Sequence, residues 1–312
     1  MKALVTGAAG FIGSTLAERL VRSGVDVVGI DCFTDYYPRA AKERNLAFLR
    51  TAPNFRFLEQ RIQDADLNTL LAERTHVFHL AAQAGVRKSW GRDFDVYTVN
   101  NIEATQVLLE ACVGKPIERL VYASSSSVYG DLVEMPMRED ALPQPVSPYG
   151  VSKLAAEQLC YLYFVNFGVP TVSLRYFTVY GPRQRPDMGF HRFLKATMQG
   201  APIAVYGDGE QTRDFTYIAN VVDGVLRACE APKAAGEVIN VATGMRISLN
   251  ELLRVLNTVV GTNLQPIYKD ARAGDVRDSQ ADISKAQALL GYTPLVSFEA
   301  GLKQTLDWCR RA

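Results

Sequence analysis

The sequence predicts an α/β fold, a doubly wound parallel sheet with a smaller α/β domain after it. Three observations carry this. Short runs of branched apolar residues alternate with longer stretches of helical character. The strand-like runs are almost continuously apolar, as in parallel strands covered on both faces. The first of them passes through a glycine-rich turn straight into a helix, "KALVTGAAGFIGSTLAERL", which opens a right-handed strand–helix–strand unit.

The elements follow in order. "KALVTG" reads as the first strand and "FIGSTLAERLVRSG" as a helix closed by Gly24. "DVVGID", "FRFLEQ" and "HVFHLAA" are the next strands. A helical stretch runs from about Thr98 to Cys112. "ERLVYASS" is strand-like, "SKLAAEQLCYLYFVNFG" is a helix ended by Gly168, and "PTVSLRY" is a strand again. After Tyr176 the rhythm breaks. "GPRQRPDMG" and "YGDGEQTRD" read as loops, rich in Gly, Pro and charge. Shorter elements follow: "GEVINVATG", a helix near 248–260, "LQPIYKD", and a last helix from about Phe298 to Arg310. Residues 1–175 are therefore expected to form a dinucleotide-binding domain and 176–312 a smaller second domain, with part of 210–245 returning to the first.

Composition removes several classes of function. Of 312 residues, 48% are apolar and 21% charged, so the chain can bury a sizeable core. A net charge of +1 predicts neither a nucleic-acid nor a membrane-surface partner. The five cysteines are scattered and odd in number, and the three histidines show no HExxH spacing, so no metal is expected. "MKALVTGAAGFIG" reaches glycines too soon for a signal-peptide core, and no apolar run has membrane-spanning length. A cytoplasmic, soluble protein is expected.

"TGAAGFIG" places Gly7, Gly10 and Gly13 at the first strand–helix junction. Small residues there let backbone N–H groups approach a pyrophosphate, and the helix N-terminus adds favourable partial charge. The spacing is GxxGxxG. Asp31 ends the next strand, where a carboxylate binds both hydroxyls of an adenosine ribose and repels a 2′-phosphate. That predicts NAD and not NADP.

"SPYGVSK" holds Tyr149 and Lys153 one helical turn apart. A free phenol has a pKa of about 10. A Lys ammonium and an oxidised nicotinamide both favour the phenolate that a base requires. "YASSSSVYG" follows a strand whose C-terminus should face the ligand crevice, so Ser125 can stand opposite Tyr149 and help pass a proton. Any of Ser124 to Ser127 can be the active serine on this reading.

Together these motifs resemble the extended short-chain dehydrogenase/reductases of the nucleotide-sugar epimerase group, most of all UDP-glucuronate 4-epimerases. The resemblance rests on TGAAGFIG, Asp31, "HLAAQAGVR", "NNIEAT", "SSSSVYG", Tyr149-x-x-x-Lys153, "GEQTRDF" and "ARAGD", and it spans nearly the whole chain. It implies a Rossmann sheet and a homodimer. Phe11 and Ile12 of the glycine turn would join its glycines at the cofactor. Arg61, Ile62, Leu80, Ala81 and Ala82 would line the cofactor cleft, Asn101 would support its site, and Tyr176 would lie near the nicotinamide. Arg61 stands where relatives often carry an Asp that reads the adenine amine. Ser125 and Ser126 are the implied catalytic partners of Tyr149 and Lys153. On the UDP-sugar side the resemblance implies Arg87, Ser127 and Thr178, with Ala204 and Tyr206 at uracil. Arg213 and Arg272 would hold the pyrophosphate and Asp275 the nucleotide ribose. Two arginines suit a pyrophosphate and an aromatic suits a base face. Epimerases acting on UDP-glucose often carry Asn where Thr178 stands.

Related dehydratases carry Asp and Glu just before "VYG", and decarboxylases carry a Glu at the position of Ser127. Without an acid there, the chemistry that remains is oxidation at C4, turnover of the ketone and reduction. "RPDM" resembles the loop of UDP-glucuronate 4-epimerases whose arginine lies near the sugar carboxylate, here Arg185, with Arg183 as a rival. An arginine fork matches a carboxylate in geometry and charge. UDP-glucose or UDP-N-acetylglucosamine is the alternative substrate. A non-catalytic NAD-binding sensor is the alternative of another class, and such a protein would need neither Tyr149 nor Lys153.

Overall fold

Neighbouring side chains along each central strand point into different cores. On the first strand, Ala3 and Val5 pack on one face and Leu4 on the other, and Val121 parts from Leu120 and Tyr122 in the same way. This period-2 alternation within wholly apolar strands requires cover on both faces. The computed structural model describes residues 1–131, 134–270 and 276–311. In it, β1 (Lys2–Thr6), β2 (Asp26–Asp31), β3 (Phe55–Glu59), β4 (His76–His79), β5 (Arg119–Ser125) and β6 (Thr171–Tyr176) join a seventh strand, Val238–Val241, in one sheet. The order is seventh–β6–β5–β4–β1–β2–β3, and every pairing is parallel. The predicted doubly wound sheet is present. The winding direction reverses between β1 and β4, so their C-terminal ends open a crevice there.

Helices Phe11–Arg22 and Ile218–Glu230 close one face, and Ala104–Cys112 and Pro148–Phe167 close the other. Helix Ile218–Glu230, with Gly224 at its middle, was not anticipated. The glycine has a packing reason: a Cβ there would stand 2.7 Å from Val241 Cγ1, so the helix lies directly on the seventh strand. Helices Arg39–Leu46 and Gly189–Gln199 were also not anticipated. The helix expected from Thr98 begins with a π-helical turn, Thr98–Glu103, that turns the buried Asn101 inward.

The long helix starts earlier than its sequence pattern. Ser147 caps it, its Oγ accepting from Gly150 N at 3.1 Å, and Pro148 takes the first turn, where no N–H is needed. Tyr149 and Lys153 therefore both lie inside the helix. Gly168 ends it in the left-handed conformation, φ 68°. In the C-terminal part, Ile203–Tyr206 pairs parallel with Pro266–Lys269, and Thr178–Tyr180 with Phe215–Tyr217. The buried Asp214 carboxylate ties this region together, accepting from Thr243 N at 3.0 Å and Gly244 N at 2.9 Å. No described helix is long and apolar enough to cross a membrane.

One buried ion pair locks the long helix to the sheet. Glu157 accepts from Arg175 Nη2 at 2.6 Å and Nε at 3.0 Å, and from Ser124 Oγ at 2.6 Å. The two side chains are 1% and 3% exposed. Removing one partner strands a buried charge, which costs about 3–5 kcal/mol. Glu157→Ala should lose about that much stability in urea denaturation; a loss under 1 kcal/mol would show that the pair is not a keystone.

Candidate active site

The crevice at the strand C-termini is where the chemistry-bearing residues meet. β1 delivers Gly7, at φ 70°, and Gly7 N donates to Ile30 O at 2.8 Å. A Cβ on Gly7 would stand 2.9 Å from Ala81 N, and one on Gly13 would stand 2.1 Å from Gly7 O. Only glycine allows both approaches. Gly10 is the N-cap of the first helix, and with no side chain it leaves the first-turn N–H groups open to the cleft. Thr6 Oγ1 accepts from Leu80 N and Ala81 N, each at 3.1 Å, which draws the loop after β4 to the cleft edge. Thr6 Oγ1 also pairs with His79 Nδ1 at 2.8 Å, and Thr105 Oγ1 with Nε2 at 2.9 Å. Burial pushes His79 down to about 3, helped by the nearby Lys153 charge, so this imidazole is neutral and structural.

Asp31 lies at the far end of the same cleft. Its carboxylate accepts from Ala9 N at 3.2 Å and Phe33 N at 2.9 Å. Lys42 Nζ stands 3.7 Å from it. Arg61, Ile62, Leu80, Ala81 and Ala82 line this cavity with the glycine turn, Phe11 and Ile12. So do Tyr149, Lys153 and Tyr176 at its inner end. Asn101 is the exception. It is 1% exposed and lines no wall. Its Oδ1 accepts from Gln83 N at 2.7 Å and its Nδ2 donates to Ser152 Oγ at 2.9 Å. Asn101 thus staples the loop after β4 to the helix that bears Tyr149. Lys42, Tyr36, Tyr37 and Gln83 also line the cavity and were not picked from sequence. No glycine or strand-end signal marks them.

At the inner end, Tyr149 is half-buried, with its ring edge-on to Tyr97 at 6.2 Å. Desolvation raises its pKa, while a hydrogen bond with Ser125 and the Arg185 charge work against that rise. Lys153 is 3% exposed, and its Nζ lies 4.4 Å from the centre of the Tyr122 ring. Burial holds its ammonium down to about 7, and Glu157 one turn on opposes the fall. The four serines now separate. Ser124 is spent on Glu157. Ser125 is the one that acts on Tyr149, holding its pKa down. Ser126 and Ser127 form the short 3-10 turn that follows, where Ser127 N donates to Ser125 Oγ at 3.1 Å. Of the four serines, Ser124 lines the first cavity and the other three line neither.

A second cavity is formed mainly by residues 188–215. Arg87, Thr178, Ala204, Tyr206 and Arg213 line it, the Arg87 guanidinium standing 6.0 Å from the centre of the Tyr206 ring. Arg192, Gln211 and Arg277 line it too and were not anticipated. Arg272 and Asp275 lie outside the described residues. Arg185 lines the first cavity beside Tyr149, its fork paired with Asp187 at 3.0 and 3.1 Å. Its rival is engaged elsewhere: Arg183 binds Glu18 and stands 3.5 Å from Ser14 Oγ on the first helix.

Comparison with known proteins agrees with this arrangement. A UDP-glucose epimerase of Bacillus subtilis described as uncharacterized, YtcB, is 45% identical over 99% of this chain and 98% of its own length. A UDP-glucuronate 4-epimerase of Thermodesulfobacterium geofontis is 39% identical over 98% of this chain and 95% of its own. The crystal structure of UDP-glucuronic acid 4-epimerase from Bacillus cereus in complex with UDP-glucuronic acid and NAD superimposes with a TM-score of 0.96 at 45% identity, over 100% of this chain and 99% of that one. The family model of the NAD dependent epimerase/dehydratases matches residues 3–242, and the chain belongs to that family.

Proposed function

We propose that this chain is an NAD-dependent 4-epimerase that interconverts UDP-glucuronate and UDP-galacturonate. One observation carries the reading: Tyr149 and the Arg185 guanidinium line the same cleft as the glycine turn, and Ser125 and Arg185 both act to hold the phenol pKa down. A base for a sugar hydroxyl and a fork for a carboxylate thus lie at one spot. The similarity to the Bacillus cereus enzyme supports the same substrate.

The residues fit NAD. Gly10 leaves the helix N-terminus open to a pyrophosphate, and the Asp31 carboxylate suits the ribose diol. Bound NAD accepts the hydride from sugar C4, returns it to the other face of the ketone, and brings a positive charge to the cleft. Tyr149 takes the C4 hydroxyl proton and gives it back on reduction. Ser125 shares that proton's hydrogen bond, and Lys153 holds a ribose hydroxyl and favours the phenolate. Between the two transfers the 4-keto sugar turns about its pyrophosphate; Arg213 is proposed to hold it, with Arg87 beside it, although the Arg213 guanidinium also donates to the carbonyls of Thr212, Val276 and Arg277. A 4-keto uronate is a β-keto acid, so Arg185 must also hold its carboxylate unfavourably for loss of carbon dioxide. Arg272 and Asp275 are proposed for the pyrophosphate and the nucleotide ribose on resemblance alone.

UDP-glucose is the second reading. The Arg185 charge already has a partner in Asp187, so a neutral C6 hydroxyl does not leave it stranded, and the Bacillus subtilis relative is described as a UDP-glucose epimerase. We further propose a cytoplasmic homodimer, with 1–175 as the cofactor domain and 176–312 as the sugar domain. The long helix leaves Val151, Tyr161, Leu162 and Val165 exposed, 45–57% each, as an apolar face for a second copy.

Three measurements test the reading. Tyr149→Phe removes one oxygen and should cut turnover about 10²–10⁴-fold while NAD binding persists; a variant keeping half of wild-type turnover would dismiss Tyr149 as the base. With UDP-glucuronate, product should form with catalytic NAD at most, and stoichiometric NADH accumulation would mean a dehydrogenase instead. Arg185→Ala should lower kcat/KM for UDP-glucuronate about 10- to 100-fold more than for UDP-glucose. An unchanged ratio between the two sugars would move the carboxylate away from Arg185 and put UDP-glucose first.

A further inference from the structure

Arg185 does not wait with an open fork. Its Nε donates to Asp187 Oδ1 at 3.0 Å and its Nη2 to Asp187 Oδ2 at 3.1 Å, a bidentate pair on one edge of the guanidinium. Asp187 Oδ2 also accepts from Tyr36 OH at 3.3 Å. Tyr36 itself is wedged in place: a Cβ on Gly85 would fall 2.0 Å from its hydroxyl, and Lys88 Nζ lies 4.9 Å from its ring centre. The acid is thus held on the arginine by a second contact from another loop. Arg185 is 21% exposed at its side chain and Asp187 34%, so water screens the pair only in part.

We infer that Asp187 is a built-in counter-ion that sets how strongly the site prefers an anionic sugar over a neutral one. The inference rests on the reading that Arg185 faces C6 of the sugar. A substrate carboxylate must share the guanidinium with Asp187 and bears the repulsion of a like charge beside it. A neutral C6 hydroxyl meets an arginine already neutralised and leaves no stranded charge. Asp187 therefore lowers the advantage of the uronate and raises the acceptance of the neutral sugar. It touches neither reacting atoms nor the carboxylate directly, and it acts through Arg185 as a positioning residue.

Asp187→Asn tests this with little change of shape, since the amide oxygen can still accept from Tyr36. Initial rates with UDP-glucuronate and with UDP-glucose give a ratio of kcat/KM values for each variant. Asp187→Asn should raise the ratio in favour of UDP-glucuronate about tenfold, through a lower KM for the uronate and a higher one for the neutral sugar. In an Arg185→Ala background the same substitution should leave the ratio where it was. A ratio that stays or falls in the single variant, or a rise that survives without Arg185, overturns the inference. If Arg185→Ala alone leaves the ratio unchanged, the reading of Arg185 is what has failed. If Arg185→Ala shifts the ratio and Asp187→Asn does not, that reading stands and the counter-ion is rejected.

Discussion

A single buried carboxylate fixes where chemistry can occur in this fold. Glu157 binds Arg175 of β6 and Ser124 of β5, and it lies one turn beyond Lys153 on the long helix. The helix can then neither slide nor rotate against the two strand ends. Register matters because Tyr149, Ser125 and Tyr176 must converge from three elements. Arg175 extends the lock: its guanidinium stacks 4.6 Å from the centre of the Tyr129 ring, and Tyr129 OH donates to Asn240 of the seventh strand at 2.8 Å. A chain of polar contacts thus runs under the site from the helix to the sheet edge. Such networks are costly when half satisfied and rigid when complete.

The second constraint is backbone proximity around β1. Thr6 holds the loop after β4, Gly7 lets that loop come within touching distance, and Asn101 ties the same loop to Ser152 beside Tyr149. The π-helical turn at Thr98–Glu103 brings Asn101 to this place. A regular helix would present a different face there, so the irregularity serves the site and is not a defect of the helix.

What the sequence made legible follows its physics. Parallel strands buried on both faces read as apolar runs, so the sheet was predictable element by element. The glycine turn, Asp31 and the Tyr149–Lys153 pair stand at element boundaries, where turn chemistry and helical spacing leave marks. Asn101 read as a support for the cofactor site, but the partners through which it ties the loop after β4 to Ser152 were not legible, because residue type reports hydrogen-bonding capacity but not direction. Lys42, Tyr36 and Arg192 were missed for the converse reason. They reach the cavities from segments with no distinctive pattern, and only the folded path brings them there. Ser124 to Ser127 could not be ranked in sequence, since four equal hydroxyls differ only in what each one faces.

Tyr149 and Lys153 are both held against their charged forms. Desolvation raises the Tyr149 phenol and lowers the Lys153 ammonium. Burial thus keeps the phenol protonated, which is a poor state for a base. The opposing influences are few: Ser125 and the Arg185 charge at Tyr149, and Cys160 and Glu157 at Lys153. A cationic ring arriving in the cleft would favour the phenolate further, while ribose hydroxyls accepting from the Lys153 ammonium would support it against the like charge of the ring. Apolar walls that penalise isolated charges also strengthen each charge interaction once the partners are present. The base would thus be armed by occupancy. In such a design a free hydroxyl of water meets a neutral phenol, and a sugar hydroxyl meets a base only when the cofactor is beside it.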